Sequence, residues 1–521
     1  KSKALDGHPT PLTPFIRIAT GASGVGVGAS IGLAFGAMDT YGAKAPWVHM
    51  VEGEGGMTPG RVHEAMAACA TSQLYNVVMH VDWNQASIDS NHVCAENGQP
   101  GDYVQWTPME LAYLHDWNVI YVPDGKDFRQ VFAAQKLANS LTNKMPTAVV
   151  YRTVKGWRYG IEGRSSHGAG HKFCSDGYYA TLKEFEDAFS VSFPRFSGNP
   201  AVEAETEKCF YDTLLVFRAV LEKEKETTAY LGRCIADSKA RLDKQSRTVR
   251  ADAPRIGEIY KSDVKPETPP AGLTPDPGKS ITLRDVMGDT LNALNKISGG
   301  GIFAASADLM GSTSVSNINK GFPQGFYNAE KNPGSRALSL GGICEDGMGA
   351  VMAGLASFGN HIGAISSYAA FIAALEHIAA RLHSIGQQSR KQLTGEPFKP
   401  FIMINAHAGV KTGEDGPTHA DPQPLQLLQE NFPKGFVITL TPWDPQEIWP
   451  LMIAALKARP AVICPFVTRP AESVPDRKAL GLPPAHVAAK GVYAIRTADP
   501  KAKQYNGTVV LQGNGVASVF V

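Results

Sequence analysis

With 521 residues, and 50 lysines and arginines against 49 aspartates and glutamates, the chain is long enough for several hydrophobic cores and carries a net charge of only +1. No global field draws it to nucleic acid or to an anionic membrane, so any anion it binds must be held by a local site. Its seven cysteines stand apart with no C-x-x-C pair, no run of about 18 apolar residues occurs, and the opening Lys1-Ser-Lys-Ala-Leu-Asp has no apolar leader core. Together these features predict a reducing, cytoplasmic compartment with neither export nor a membrane span.

In chain order, short β-rich runs at 46–51 and 76–81 flank a stretch of helical apolar spacing, Val62 to Leu74, and predict a βαβ unit. Runs at 117–122, ending in Pro123-Asp-Gly, and at 147–151, ending before Lys155-Gly156, extend it into a parallel sheet. Ligands are expected at the carboxyl ends of such strands. The charged stretch from Glu203 to Arg250 reads as solvated helix that carries no chemistry. Val264 to Lys279, rich in proline and glycine, reads as a linker. A second α/β segment runs from Ile281 through strands at 301–305 and 400–404 to 461–466. The last residues, Thr508 to Val521, predict a strand, a glycine-rich turn and the opening of a helix, as if a third α/β domain began there.

Two strand ends carry chemistry. Gly53-Glu54-Gly55 closes one and Asp82-Trp83-Asn84-Gln85-Ala86 closes its neighbour. A carboxylate, an amide oxygen and a backbone carbonyl converging there supply hard ligands for Mg²⁺ or Ca²⁺, which would bridge a pyrophosphate, and the glycines let the backbone approach it. A G-D-G followed about thirty residues on by Asn at a strand end resembles the signature of thiamine-diphosphate enzymes, and Glu54 to Asn84 spans thirty residues. The resemblance implies Glu54, Asn84 and the Ala86 carbonyl as metal ligands, and Gly53 and Gly55 beside the cofactor. The chain departs from it in carrying Glu54 for Asp, whose extra methylene shifts the metal or selects a larger ion.

Upstream, Gly7-His8-Pro9 precedes Thr20-Gly21-Ala22-Ser23-Gly24-Val25-Gly26, with His8 thirteen residues before Gly21. This pair resembles the G-H-P and T-G-x-x-G-x-G of transketolases. It implies that His8 lines a substrate channel and that Gly21 and Ser23 touch the cofactor. Lys155-Gly-Trp-Arg-Tyr-Gly, followed by Ser165-Ser166-His167-Gly-Ala-Gly-His171, resembles the family's K-x-x-G-x-G segment and its following histidine. His167 is the chosen counterpart and His171 the alternative.

Thiamine chemistry needs a carboxylate facing the aminopyrimidine from an apolar surround that raises its pKa. Gly342-Ile-Cys-Glu345-Asp-Gly-Met-Gly-Ala, a glutamate opening a helix of small residues, meets that need and resembles the family's G-I-R-E-H-A-M-G-A. Cys344 and Asp346 replace an Arg and a His. Ser367-Tyr368-Ala-Ala-Phe371 supplies the aromatic wall for the pyrimidine and resembles the spelling of the related phosphoketolases. The closest match is His407-Ala-Gly-Val-Lys-Thr-Gly-Glu414-Asp415-Gly-Pro-Thr-His419 against the transketolase H-D-S-x-x-x-G-E-D-G-P-T-H. A polar glycine-rich loop with two histidines and two acids has little structural purpose. By resemblance His407 and His419 bind substrate and move protons, Asp415 binds a hydroxyl, and Arg469 binds phosphate. A second phosphate arginine is expected near Ser316, where none stands.

The resemblance therefore implies two parallel-sheet α/β domains, a pyrophosphate-binding one over 1–250 and a pyrimidine-binding one over 281–480. A linker over 251–280 joins them, and the start of a C-terminal domain follows over 481–521. It implies bound thiamine diphosphate with Mg²⁺ or Ca²⁺, a sugar or sugar-phosphate substrate, and a homodimer with active sites at the subunit interface. Family members extend beyond this chain at both ends, so a fragment or one half of a split enzyme is also expected. The implied reaction is transfer of a two-carbon ketol unit from a ketose to an aldose. The alternatives are the decarboxylating first component of a 2-oxo-acid dehydrogenase, on the spelling of Thr153 to Gly160, and an inactive cofactor-binding homologue, on Glu54, Cys344, Asp346 and Ser316.

Overall fold

The structure is a computed structural model that describes residues 8–13, 16–163, 170–307, 309–340, 342–375, 377–409, 411–421, 423–501, 503–505 and 507–521. The glycine-rich turn enters α1 (Val25–Tyr41) through Gly24 in the left-handed region at φ 82°. Helix α1 is apolar around most of its circumference, the pattern of a helix buried on all sides. The expected βαβ unit follows as β1 (Val48–Gly53), α2 (Gly60–Thr71) and β2 (Val77–Trp83). With β3 (Asn118–Val122) and β4 (Thr147–Arg152) it forms a parallel sheet in the order β1-β2-β4-β3. Strands β2 and β4 bury side chains on both faces, as their near-continuous apolar spelling requires.

The charged stretch folds as α4 (Glu203–Lys223) and α5 (Lys225–Gln245), behind α3 (Asp176–Phe189). Helix-spaced ion pairs line its outer face, Lys208 with Asp212 at 2.6 Å, Arg218 with Glu222 at 2.8 Å and Lys239 with Asp243 at 2.6 Å.

The second α/β segment opens with α6 (Leu283–Ser298), capped by the Thr282 hydroxyl, which accepts from the Asp285 amide at 3.0 Å. Its strands β5 (Ile302–Ser306), β6 (Ile362–Tyr368), β7 (Phe401–Ala406), β8 (Val437–Leu440) and β9 (Val462–Pro465) form a parallel sheet in the order β5-β6-β7-β9-β8. Helix α7 (Glu345–Phe358) leads into β6. The C-terminal reading needs a correction, because residues 508–512 form no strand and only the turn at Gly513 and the helix Asn514–Phe520 appear. A strand exists only where a neighbour accepts its ladder, and this stretch pairs with none among the described residues.

The two sheets share one core. Helices α1 and α7 cross so closely that a Cβ on Gly32 would stand 2.0 Å from the Val351 carbonyl, and one on Gly354 2.0 Å from that of Ala29. Phe35 of α1 meets the Phe303 ring of β5 edge-on at 4.8 Å. At the end of α1 a buried Asp39 accepts from Arg336 at 3.1 Å, from His361 at 2.8 Å and from Arg250 at 3.2 Å. Burial alone would raise the Asp39 carboxyl, but His361 and Arg336 outweigh it and hold the group down at about 2. Among the described residues no helix is long and apolar enough to cross a membrane.

Candidate functional site

At the carboxyl edge of the first sheet the register sets Gly53 against Asp82 and Asp82 against Tyr151, which gathers three strand ends. Glu54 follows Gly53 and is only 1% exposed. Its Oε2 accepts from the Asn84 amide at 3.2 Å, while its Oε1 is buried with no hydrogen-bond partner among the described residues. Burial, with the Asp82 charge adding to it against the bond from Asn84, pushes the Glu54 carboxyl up to about 7. Asn84 is braced in turn, its Oδ1 accepting from the Ala86 amide at 2.8 Å and its Nδ2 donating to Asp82 at 2.9 Å. Between them Gln85 takes a left-handed φ of 63° and its amide clamps Cys94 through bonds of 3.0 and 2.9 Å. A buried carboxylate with an orphan oxygen beside an oriented amide suits a divalent cation, which would cancel the desolvation that now raises the group. No cluster of three or more His, Cys, Asp or Glu side chains here could hold a metal among the described residues. Further oxygens must come from backbone, such as the Ala86 carbonyl, and from a bound anion.

His8, Gly21 and Ser23 line a cavity of about 620 Å³ against β1, together with Trp47, His49 and Glu52. A Cβ on Gly55 would meet nothing within 4 Å, so packing inside this chain does not require that glycine. His167 lies outside the described residues. His171 is engaged locally, its ring 4.9 Å from that of Tyr159, its Nε2 2.9 Å from the Tyr159 carbonyl and its amide donating to the Tyr159 hydroxyl.

Glu345 is half-buried at the first position of α7, three residues past Gly342 at φ 110°. Two residues of α2 that sequence reasoning missed hold the next two residues of α7. Arg61 pairs with Asp346 at 2.8 Å, and Glu64 accepts from the Gly347 amide at 2.6 Å. Burial, then the charges of Asp346 and Glu345, raise the Glu64 carboxyl, and burial likewise raises Asp346 against the pull of Arg61. The Asp found where the family has a His is thus answered by an arginine of the same chain.

The second gathering stands on the other sheet. Strand β7 ends at Ala406, and His407 turns into the left-handed region at φ 53° with its side chain fully buried. Its Nδ1 lies 2.7 Å from Asp415 and its Nε2 2.8 Å from the Arg284 guanidinium. A carboxylate on one side and a guanidinium on the other make Nδ1 the donor and Nε2 the acceptor. Burial first, then the Arg284 charge, press His407 down to about 4, so the ring is neutral at pH 7. Asp415 is also ion-paired to Arg469, and this pair and His407 hold its carboxyl low against the opposing effect of burial. Tyr368, at the end of β6, sets its ring 4.0 Å from His407 and 4.8 Å from His419, and Phe371 lies 5.3 Å from His419. Tyr368, Phe371, His407, Asp415, His419 and Arg469, singled out by separate motifs, therefore meet in one place. Arg284, on α6, was not anticipated. It supplies a second guanidinium from another element than the one holding Ser316.

The chain matches the family model for the transketolase thiamine diphosphate binding domain over residues 2–178 and that for the transketolase pyrimidine binding domain over 279–468. It is 26% identical over 414 residues to a human protein named transketolase-like protein 2, covering 79% of this chain and 51% of that protein. A transketolase of Halalkalibacterium halodurans is 23% identical over 513 residues, 95% of this chain and 68% of the relative. The crystal structure of a Pichia stipitis transketolase in complex with sedoheptulose 7-phosphate superposes with a TM-score of 0.65 at 21% identity, over 95% of this chain and 67% of that one. The chain spans between about half and two thirds of the length of these proteins.

Proposed function

This chain belongs to the transketolase family, and from that membership we propose that it is a thiamine-diphosphate-dependent transferase acting on sugar phosphates. The observation that carries the proposal is the His407 junction, in which a neutral imidazole is oriented by Asp415, with one guanidinium, Arg284, on its Nε2 and a second, Arg469, paired to Asp415. A phosphate monoester is the ligand such a pair of forks fits best, since each can donate two parallel bonds to its oxygens. The Pichia relative is described in complex with such a sugar phosphate.

In this reading Glu54, Asn84 and the Ala86 carbonyl would hold a Mg²⁺ or Ca²⁺ for the cofactor's diphosphate, and Gly21, Ser23, Gly53 and Gly55 would leave room for it. Tyr368 and Phe371 would wall the pyrimidine, and Glu345 is the carboxyl that would exchange a proton with it. Bound thiamine diphosphate supplies a thiazolium carbon nucleophilic toward a ketose carbonyl. Asp415 and His8 bind substrate hydroxyls. When a substrate phosphate draws Arg284 away, Nε2 of His407 is left as an acceptor for a hydroxyl proton, and His419 stands within the same aromatic group to return it. Residues 1–250 serve the diphosphate, 281–480 serve the pyrimidine, 251–280 link them, and 481–521 belong to a further C-terminal unit. On the family resemblance, we assign each complete site to two copies of the chain in a cytoplasmic homodimer.

The test is a substrate panel with cofactor and Mg²⁺. Cleavage of ketose phosphates with transfer to an aldose is expected. Turnover confined to 2-oxo acids would replace this reading with the decarboxylating one, and cofactor binding without any turnover would leave a binding homologue.

A further inference from the structure

The loop after β4 and the charged helices carry a feature that the proposed reaction does not use. Cys174 and Cys209 bring their sulfur atoms to 3.6 Å, Cys174 from the turn before α3 and Cys209 from within α4. We propose that these two thiols are a peroxide-reactive pair that closes to a disulfide and clamps the segment ending at Cys174 onto α4. The geometry is prepared on both sides of the sulfurs. Phe173 packs on Phe210 at 5.7 Å and on Tyr178 at 5.0 Å, while Phe217 of α4 packs on Phe185 of α3 and on Phe193, each at 4.8 Å. These contacts fix α3 against α4, so side-chain rotation alone can bring the sulfurs to the roughly 2 Å of a disulfide bond. Cys174 holds a left-handed φ of 63°, and the next residue, Ser175, caps α3 by accepting from the Tyr178 amide at 3.3 Å.

Exposure sets the order of reaction. Cys174 is half-exposed, whereas Cys209 is 8% exposed and burial pushes its thiol up. The Cys174 thiolate attacks hydrogen peroxide; its sulfur gains one oxygen as a sulfenic acid, and the peroxide bond breaks to release the other oxygen as hydroxide, which is protonated to water. The Cys209 thiol then attacks that sulfur, the S–S bond forms, and the hydroxyl leaves as water with the Cys209 proton. The peroxide is the two-electron oxidant. His171 lies three residues before Cys174 and is already anchored on Tyr159, so the closed pair pins the far end of that same stretch.

The experiment treats the reduced 521-residue protein with equimolar hydrogen peroxide and maps its peptides without reduction. A Cys174–Cys209 cross-link is expected as the main product, with the mass falling by two hydrogens, reversal by dithiothreitol, and slower amide exchange over residues 171–178. Overoxidation of Cys174 without a cross-link, or a different pair as the main product, overturns the proposal. In Cys209→Ala, checked for an unchanged melt, Cys174 should be trapped as a sulfenic acid by dimedone. An unlabelled Cys174 there refutes its part as the attacking thiol.

Discussion

His407 is held at both ring nitrogens and by an aromatic face, which makes it rigid and neutral before any substrate arrives. His407→Asn keeps a donor toward Asp415 but loses the Nε2 acceptor. Ketose cleavage should therefore drop by about 10²-fold while thiamine diphosphate affinity measured by calorimetry stays put. A parallel fall in melting temperature would mark the loop as structural instead. At the other sheet edge Glu54→Gln preserves the size of the buried side chain and removes its charge. Cofactor affinity should weaken by about tenfold or more and lose its response to EDTA; an affinity that still depends on Mg²⁺ would remove Glu54 from the metal site. A buried histidine also predicts acid sensitivity. His383 sits between the Ser357 hydroxyl at 3.1 Å and the Lys399 carbonyl at 2.8 Å, and burial presses it down to about 4. The unfolded chain, with its histidine near 6.5, binds the proton first, so this contribution to stability is complete above that pH and is lost as pH falls toward 4. Urea unfolding should show up to about 1.4 kcal/mol lost per pH unit per such histidine, with a shallower slope in His383→Gln. An unaltered slope would assign the sensitivity to other groups, His407 among them.

Among the elements, the crossing of α1 and α7 separates two kinds of glycine. Gly32 is demanded by the Val351 carbonyl, so Gly32→Ala should cost about 2–3 kcal/mol in chemical denaturation. Gly55 faces open space, and Gly55→Ala should leave the melt unchanged while weakening the cofactor; if it destabilises the fold instead, its role is packing. The same contrast explains what could be read from the chain alone. The β-rich runs before Glu54 and Asn84, and the His407 to His419 loop, are local patterns whose chemistry is spelled in consecutive residues. Strand β6 was missed because Ser366 and Ser367 break its apolar run, although both are fully buried. Strand β8 is only four residues long, too short for a two-residue alternation to show. Arg284 meets His407 only through the fold, and Arg61 and Glu64 meet α7 only where the sheets join, so nothing in their neighbours' spelling marks them. The expected strand at 508–512 failed for the opposite reason, since a β-rich spelling is no strand without a partner.

For the whole molecule, the decisive question is whether one site takes two chains. Asn84→Ala should disable the diphosphate edge and Glu345→Gln the pyrimidine edge. Once subunits exchange, mixing the two inactive proteins should return about a quarter of the original activity, because half of the dimers are mixed and each carries one intact site. Exchange without recovered activity would place both edges of a site in a single chain. The shared core has a consequence for how the chain can be cut. A protease that nicks the exposed stretch between Val264 and Lys279 severs the thread but not the seam, since α1 stays packed on α7 and Asp39 stays paired with Arg336 and hydrogen-bonded to His361. The two pieces should co-elute as one particle, and each should precipitate when made alone, because separation bares the apolar face of α1 on one piece and that of α7 on the other.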